Sequence, residues 1–356
     1  MPCKSLQYAV LLREVPITYI VEVDTGVFEV GLPVVRSKQR AWRYSSSRRT
    51  ATSKMAGRDT ENSFQKASNN KYPGLTQAKE GEWKGPFCFI QSADTQFGLI
   101  DSWNGVPEDE QTWDKEIILT KKAIAAANIL TPKPRFFIVC GDLVNAIPSG
   151  KFNQDQVRDF KKVFEELDPT IPLVCVCGNH DVGDTPTQQA VQIYRSNFGD
   201  DYYTFWAGGV FFIVINSQYF KDGSLVEDVK QQQELWFDEQ LELAKKINAK
   251  HTVLFQHIPW FLHNVDEKDD YFNIQPAVRQ RMLQKIKDAG IKYVFAGHYH
   301  RNAGGFDGNL EMIVTSAIGL QIENDKDSGL RIVRVYEDKI CHEYYELDKL
   351  PAKVDL

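Results

Sequence analysis

The chain has 356 residues, 42% hydrophobic and 25% charged, the composition of an ordinary globular protein with enough apolar surface for a large core. A formal net charge of -6 gives no general pull toward nucleic acid or an anionic membrane, and no apolar run approaches the roughly 20 residues that span a bilayer. The six cysteines lack zinc-site or thioredoxin spacing, and there is no Asn-x-Ser/Thr acceptor and no secretory apolar region. The chain therefore reads as a reduced, cytoplasmic protein with neither nucleic acid nor membrane as partner.

Residues 1–54 differ from the rest. They carry nine Lys/Arg against four Asp/Glu, and after a stretch at Leu6 to Val35 apolar enough for a hairpin or two they end in a basic, Ser-rich run. They read as an atypical basic extension, followed by a polar linker over 55–80, with Met55 as a second start, and then by one domain over 81–350. From Trp83 the pattern is strongly α/β. Strands are predicted at Phe87 to Ala93, Phe136 to Cys140 and Leu173 to Cys177, with helices at Gln111 to Leu130, Gln154 to Leu167 and Thr187 to Asn197. Tyr202 to Trp206 and Val210 to Asn216 form a hairpin signal across Ala207-Gly208-Gly209. A long amphipathic helix at Val229 to Ile247 follows, then a strand at Thr252 to Gln256, a helix at Pro276 to Ala289 and a strand at Lys292 to Ala296. Three tail strands, Glu311 to Thr315, Leu330 to Tyr336 and Ile340 to Tyr345, have no helices between them. This order predicts an α/β fold of two mixed β-sheets packed face to face with helices on the outside.

Five apolar strands end in groups that bind cations: Ser92-Ala-Asp94-Thr-Gln96, Cys140-Gly-Asp142, Gly178-Asn179-His180-Asp181, Phe255-Gln-His257 and Gly297-His298-Tyr-His300. Singly, each has an ordinary reading as a cap, a turn or a satisfied core histidine. Together they place carboxylates, imidazoles and an amide at the carboxyl ends of strands, where open α/β sheets bind ligands. Such donors suit Mn, Fe, Zn or Mg, and there are too many of them for one ion. Two divalent metal ions are the expected cofactors.

The five blocks in this order resemble the calcineurin-like metallophosphoesterase superfamily over roughly Trp83 to Glu346. More narrowly, Glu82-Trp-Lys-Gly-Pro-Phe, Asp94-Thr-Gln-Phe-Gly and His298-Tyr-His-Arg-Asn-Ala-Gly-Gly resemble a vertebrate branch of cytosolic serine/threonine phosphatases. The resemblance implies that Asp94, Asp142 and His300 hold one ion, and that Asp142, Asn179, His257 and His298 hold the other. It also implies that His180, paired with Asp181, protonates the leaving group after in-line attack by a bridging hydroxide. Gln96 stands where the family usually has His; as a ligand it would offer one neutral oxygen, weakening the first ion's site and favouring harder metals. Arg301 is a candidate phosphate contact. The acidic stretch Asn264 to Phe272 is either a wall of the substrate channel or an exposed loop. The implied substrate is a phosphoprotein, with an AKT-type kinase as a candidate; the alternatives are a phosphodiesterase for cyclic nucleotides or other small diesters, and a non-catalytic interaction module.

Overall fold

The computed structural model describes residues 64–322 and 327–356. Eleven strands lie among them: β1 (Phe87–Ser92), β2 (Phe137–Cys140), β3 (Leu173–Val176), β4 (Tyr203–Ala207), β5 (Val210–Val214), β6 (Thr252–Phe255), β7 (Tyr293–Ala296), β8 (Ala303–Asp307), β9 (Leu310–Val314), β10 (Gly329–Val335) and β11 (Ile340–Glu346). They form two mixed sheets, in the orders β11-β10-β1-β2-β3 and β4-β5-β6-β7-β9-β8. In the first, β1, β2 and β3 run parallel while β10 and β11 are antiparallel. In the second, β5, β6, β7 and β9 run parallel between two antiparallel edges.

Strands β1 to β7 are largely continuous apolar runs because both faces are covered, whereas the edge strands β8 and β11 are partly exposed. Between the sheets, Phe89 stacks on Phe136 with ring centroids 4.5 Å apart, and Phe136 meets Phe205 and Phe212 edge-on, both at 5.1 Å. The outer face of the first sheet packs with helices Asp114–Ile129, Asn153–Phe164 and Gln188–Phe198, and that of the second with Glu227–Ala244 and Pro276–Asp288. The expected face-to-face sandwich with outer helices is what the residues build. The β4–β5 hairpin turns on Gly208 and Gly209, both at positive φ, and a Cβ on Gly209 would lie 2.7 Å from the Trp83 backbone nitrogen.

The ends of the body differ from expectation. Residues 64–80, expected to belong to a polar linker, lie along β4: Tyr72 is 2% exposed, its N–H donates to Thr204 O (3.1 Å), and Trp206 N donates to Leu75 O (2.9 Å). Covering that sheet edge removes a row of unpaired backbone groups, which is what holds so polar a segment in place. At the other end Val354 N donates to Thr131 O (2.9 Å), so the packed body runs past residue 350. The Leu6 to Val35 expectation, residues 1–54 and residues 55–63 of the expected linker lie outside the described residues. Strand β8 and the short helix Leu99–Trp103 were not predicted; Gly304 and Gly305 hide the alternation of the former.

Candidate metal centre

All five blocks meet at the carboxyl ends of parallel strands, Asp94 after β1, Asp142 after β2, Asn179 after β3, His257 after β6, and His298 with His300 after β7. Asp142, His257 and His298 each offer a ligand atom within 4.8 Å of the others; so do Asp94, Asp142 and His300. Asp142 belongs to both sets, and all five side chains are buried.

The backbone is bent to achieve this. Asp94 (φ 52), Gln96 (φ 40), Asp142 (φ 50), His298 (φ 69) and His300 (φ 53) are all in the left-handed region. Each such residue costs of order 1–3 kcal/mol, a strain that concentrates at functional sites. Glycines supply the clearance. A Cβ on Gly178 would lie 2.2 Å from Asp142 Oδ1, one on Gly297 2.6 Å from Asp94 Oδ2, and one on Gly141 2.3 Å from His257 Nδ1.

Hydrogen bonds then aim the donors. His257 Nδ1 lies 2.7 Å from Cys140 O, and His300 Nδ1 2.5 Å from Leu320 O. Each carbonyl takes the Nδ1 proton and leaves Nε2 as a lone pair facing a carboxylate, His257 to Asp142 Oδ2 and His300 to Asp94 Oδ1, both at 3.3 Å. His298 is turned the other way, its Nε2 3.3 Å from Tyr271 O, which leaves Nδ1. Asn179 donates through Nδ2 to Asp184 (2.9 Å) and the Tyr271 hydroxyl (3.1 Å), so its Oδ1 faces His257 Nε2 at 3.1 Å.

Lone pairs therefore converge with few donors between them. Asp94 Oδ1 and Gln96 Oε1 are buried oxygens with no hydrogen-bond partner among the described residues, an arrangement that costs free energy unless a cation or proton fills it. The titration directions say the same. Burial lowers the basicity of His257, but the Asp142 carboxylate outweighs it and pushes the ring up to about 9. Burial raises Asp142, yet the charges of His257 and His180 hold it well below the usual carboxylate range. Burial and the neighbouring His257 press His298 well down.

One expected pairing is absent. Asp181 does not touch the His180 ring; its carboxylate accepts from Gly178 N (2.8 Å) and Leu143 N (3.1 Å), tying the turns after β2 and β3 together. Both residues sit in the single helical turn Asn179–Val182, and adjacent helical side chains point in different directions. His180 instead puts Nδ1 2.8 Å from Asn145 O, and its N–H donates to Asp142 Oδ1 (2.9 Å). Asp181 thus braces two turns and makes no hydrogen bond to the His180 ring among the described residues. Gln96 Nε2 reaches Asn145 Oδ1 at 3.5 Å, leaving its oxygen unpartnered, and Arg301 lies over the Tyr299 ring, 4.8 Å from its centroid. Tyr271, Asp184 and the carbonyls of Cys140, Leu320 and Asn145 were missed. Carbonyls have no sequence signature, whereas Tyr271 lies inside the acidic stretch 264–272 already weighed as a channel wall, without having been singled out there.

Overlapping donor sets of this kind, presented by two packed sheets, define a metal-dependent hydrolase. A family model described as calcineurin-like phosphoesterase matches residues 91–302, and the chain belongs to that family. It is 47% identical to the mouse protein named "Serine/threonine-protein phosphatase CPPED1" over 298 residues, 83% of this chain and 95% of the relative, and 47% identical to the human protein of the same name, covering 82% and 93%. Among solved structures, a dimetal phosphatase from Danio rerio shares the fold at a TM-score of 0.55 and 15% identity, over 74% of this chain and 97% of that one. Purple acid phosphatase from yellow lupin does so at 0.56 and 13%, over 76% and 53%. Family and donor set together imply divalent metals.

Proposed function

We propose that this chain is a dinuclear metal-dependent phosphoprotein phosphatase acting on phosphoserine and phosphothreonine, with an AKT-type kinase among its substrates. The observation that carries the reading is the sharing of Asp142 by two buried donor sets. Asp94, Asp142, His300 and the oxygen of Gln96 would hold one ion; Asp142, Asn179, His257 and His298 would hold the other. The names of the curated relatives support the phosphoserine/phosphothreonine assignment.

When bound, a pair of divalent ions supplies Lewis acidity, neutralising phosphate charge and lowering the pKa of water. The chain supplies the rest. His180, whose Nδ1–H donates to Asn145 O, would in its protonated, imidazolium form give the Nε2 proton to the departing serine or threonine oxygen. Its main chain is pinned to Asp142, so the acid and the shared carboxylate keep one spacing. The nearby thiols of Cys140 and Cys177 are buried and pushed well above their ordinary range, so neither offers a ready thiolate nucleophile. Within the described residues no helix is long and apolar enough to cross a membrane, and the free cysteines fit a cytoplasmic setting.

The test is hydrolysis by the metal-reconstituted full chain of phosphoserine and phosphothreonine peptides, a phosphorylated AKT-type kinase, and cyclic nucleotides. Release of phosphate from the peptides with little turnover of the cyclic diesters supports the reading; the reverse preference would replace it with a diesterase.

A further inference from the structure

The loop between β6 and helix Pro276–Asp288 is built with more anchoring than a surface connection needs. Arg279, 0% exposed, donates to Ile274 O (3.0 Å), Val265 O (2.8 Å) and Glu267 O (2.7 Å). The Glu267 carboxylate accepts from the backbone N–H groups of Leu262 (2.7 Å), His263 (2.9 Å) and Asn264 (3.1 Å), and Lys221 Nζ donates to Asp270 O (2.6 Å) and Asn273 O (2.8 Å). What this scaffold delivers to the metal centre is Tyr271. The residue is 49% exposed, so core packing is not the reason for the anchoring.

Tyr271 touches two donors at once. Its ring lies 5.0 Å from that of His298, centroid to centroid, and its carbonyl oxygen sits 3.3 Å from His298 Nε2. Its hydroxyl accepts from Asn179 Nδ2 at 3.1 Å and donates to Asp184 Oδ1 at 3.4 Å. Asp184 Oδ1 takes a further bond from Asn179 Nδ2 at 2.9 Å. With both amide hydrogens engaged, Asn179 can present only its oxygen to His257 Nε2. Rotating the amide would set that oxygen against the Asp184 carboxylate.

We propose that Tyr271 is a positioning residue for the ion assigned to Asp142, Asn179, His257 and His298, fixing the amide of one donor and the tautomer of another. The inference rests on the dinuclear reading above. Outer partners of metal donors typically contribute tenfold to a hundredfold in affinity. Tyr271→Phe removes the hydroxyl while keeping the ring and the carbonyl.

The experiment is Mn²⁺ titration by calorimetry into the chelator-stripped full chain, wild type and Tyr271→Phe, together with the melting temperature of each metal-free protein. The expected result is two binding steps in the wild type, with one weakened by about tenfold in the variant, the other within twofold, and metal-free melting unchanged. Asp184→Ala, which frees the same amide, should weaken the same step. Two unaltered steps in Tyr271→Phe would overturn the assignment. So would equal weakening of both steps with a lowered metal-free melting temperature, which marks a merely structural residue. A wild type that binds fewer than two ions would sink the dinuclear reading itself, an outcome separable from these.

Discussion

Gly178→Ala isolates the steric logic of the centre. The backbone there, at φ -106 and ψ -179, is open to any residue, so the substitution carries no conformational penalty. The added methyl would lie 2.2 Å from both the nitrogen and Oδ1 of Asp142, whereas ordinary contacts of this kind begin at 3.4 Å. Asp142 must therefore retreat by about 1 Å, loosening the bond it accepts from His180 N. Overpacking of this kind costs about 1–3 kcal/mol, or roughly 2–5 °C of melting temperature for a body of this size. Moving the carboxylate shared by both donor sets by that distance should also lower turnover by about a hundredfold. The assay is thermal unfolding with and without chelator, metal content of purified protein, and hydrolysis of a phosphopeptide. The chelated protein reports packing alone, and the extra loss in the metal-loaded protein reports the centre. Gly74→Ala, at φ +88 with open space around the new methyl, serves as a control for simple backbone strain. Metal content and turnover equal to wild type in Gly178→Ala would refute the placement of Asp142 at the heart of the site.

His180→Asn should lower kcat by about 10²- to 10⁴-fold while both ions remain bound, read by steady-state kinetics beside elemental analysis; loss of metal would make His180 structural. Gln96→Ala should weaken one Mn²⁺ step and leave the other, and unchanged affinity and stoichiometry would remove Gln96 from the donor set. Glu116 supplies a pH test away from the metals. Its Oε1 accepts from Ile100 N (2.8 Å) and Gly98 N (3.1 Å), anchoring the loop that follows Gln96, and burial raises its carboxyl above the ordinary value. A raised folded-state pKa means stability fully present below the ordinary value and lost as pH rises through the folded one. Glu116→Gln keeps the acceptor without the charge, so denaturant unfolding should show it gaining on wild type as pH rises above the ordinary carboxylate value. A variant that loses ground over that range would contradict the assignment.

Much of this was readable because buried parallel strands announce themselves as apolar runs and end abruptly in polar residues. Phe136 to Cys140 followed by Gly141-Asp142 carries both signals in seven residues. The segment at 64–80 was not readable, since its contribution is a main chain laid along a sheet edge and only Phe64, Ala67, Tyr72 and Leu75 hint at burial. The roles of His180 and Asp181 were half legible. Their types suggested a proton donor and a carboxylate partner, but a helical turn separates neighbours that sequence places side by side. Tyr271 sits in the acidic stretch weighed as a channel wall, but its role was beyond reach because it lies in a carbonyl, a hydroxyl and a ring that meet two donors remote in the chain.

The convergence itself follows from register. Ser92 pairs with Val139, and the pairing continues past the strands: Asp94 N donates to Gly141 O (3.0 Å) and Gln96 N to Asp142 O (2.9 Å). In the other sheet Phe255 pairs with Phe295, and Gly297 N donates to His257 O (3.0 Å). Between the two, Gly319 N donates to Asp94 O (2.9 Å), joining the loops across the sandwich. These backbone bonds hold the left-handed residues where neither their side chains nor their intrinsic preferences would keep them. A slip of one residue in β1 or β6 would turn Asp94 or His257 to the opposite face. The aromatic packing of Phe89, Phe136 and Phe255 between the sheets therefore decides whether the centre exists. The apolar strand cores and the polar strand ends are one device: the first fixes the register that the second needs.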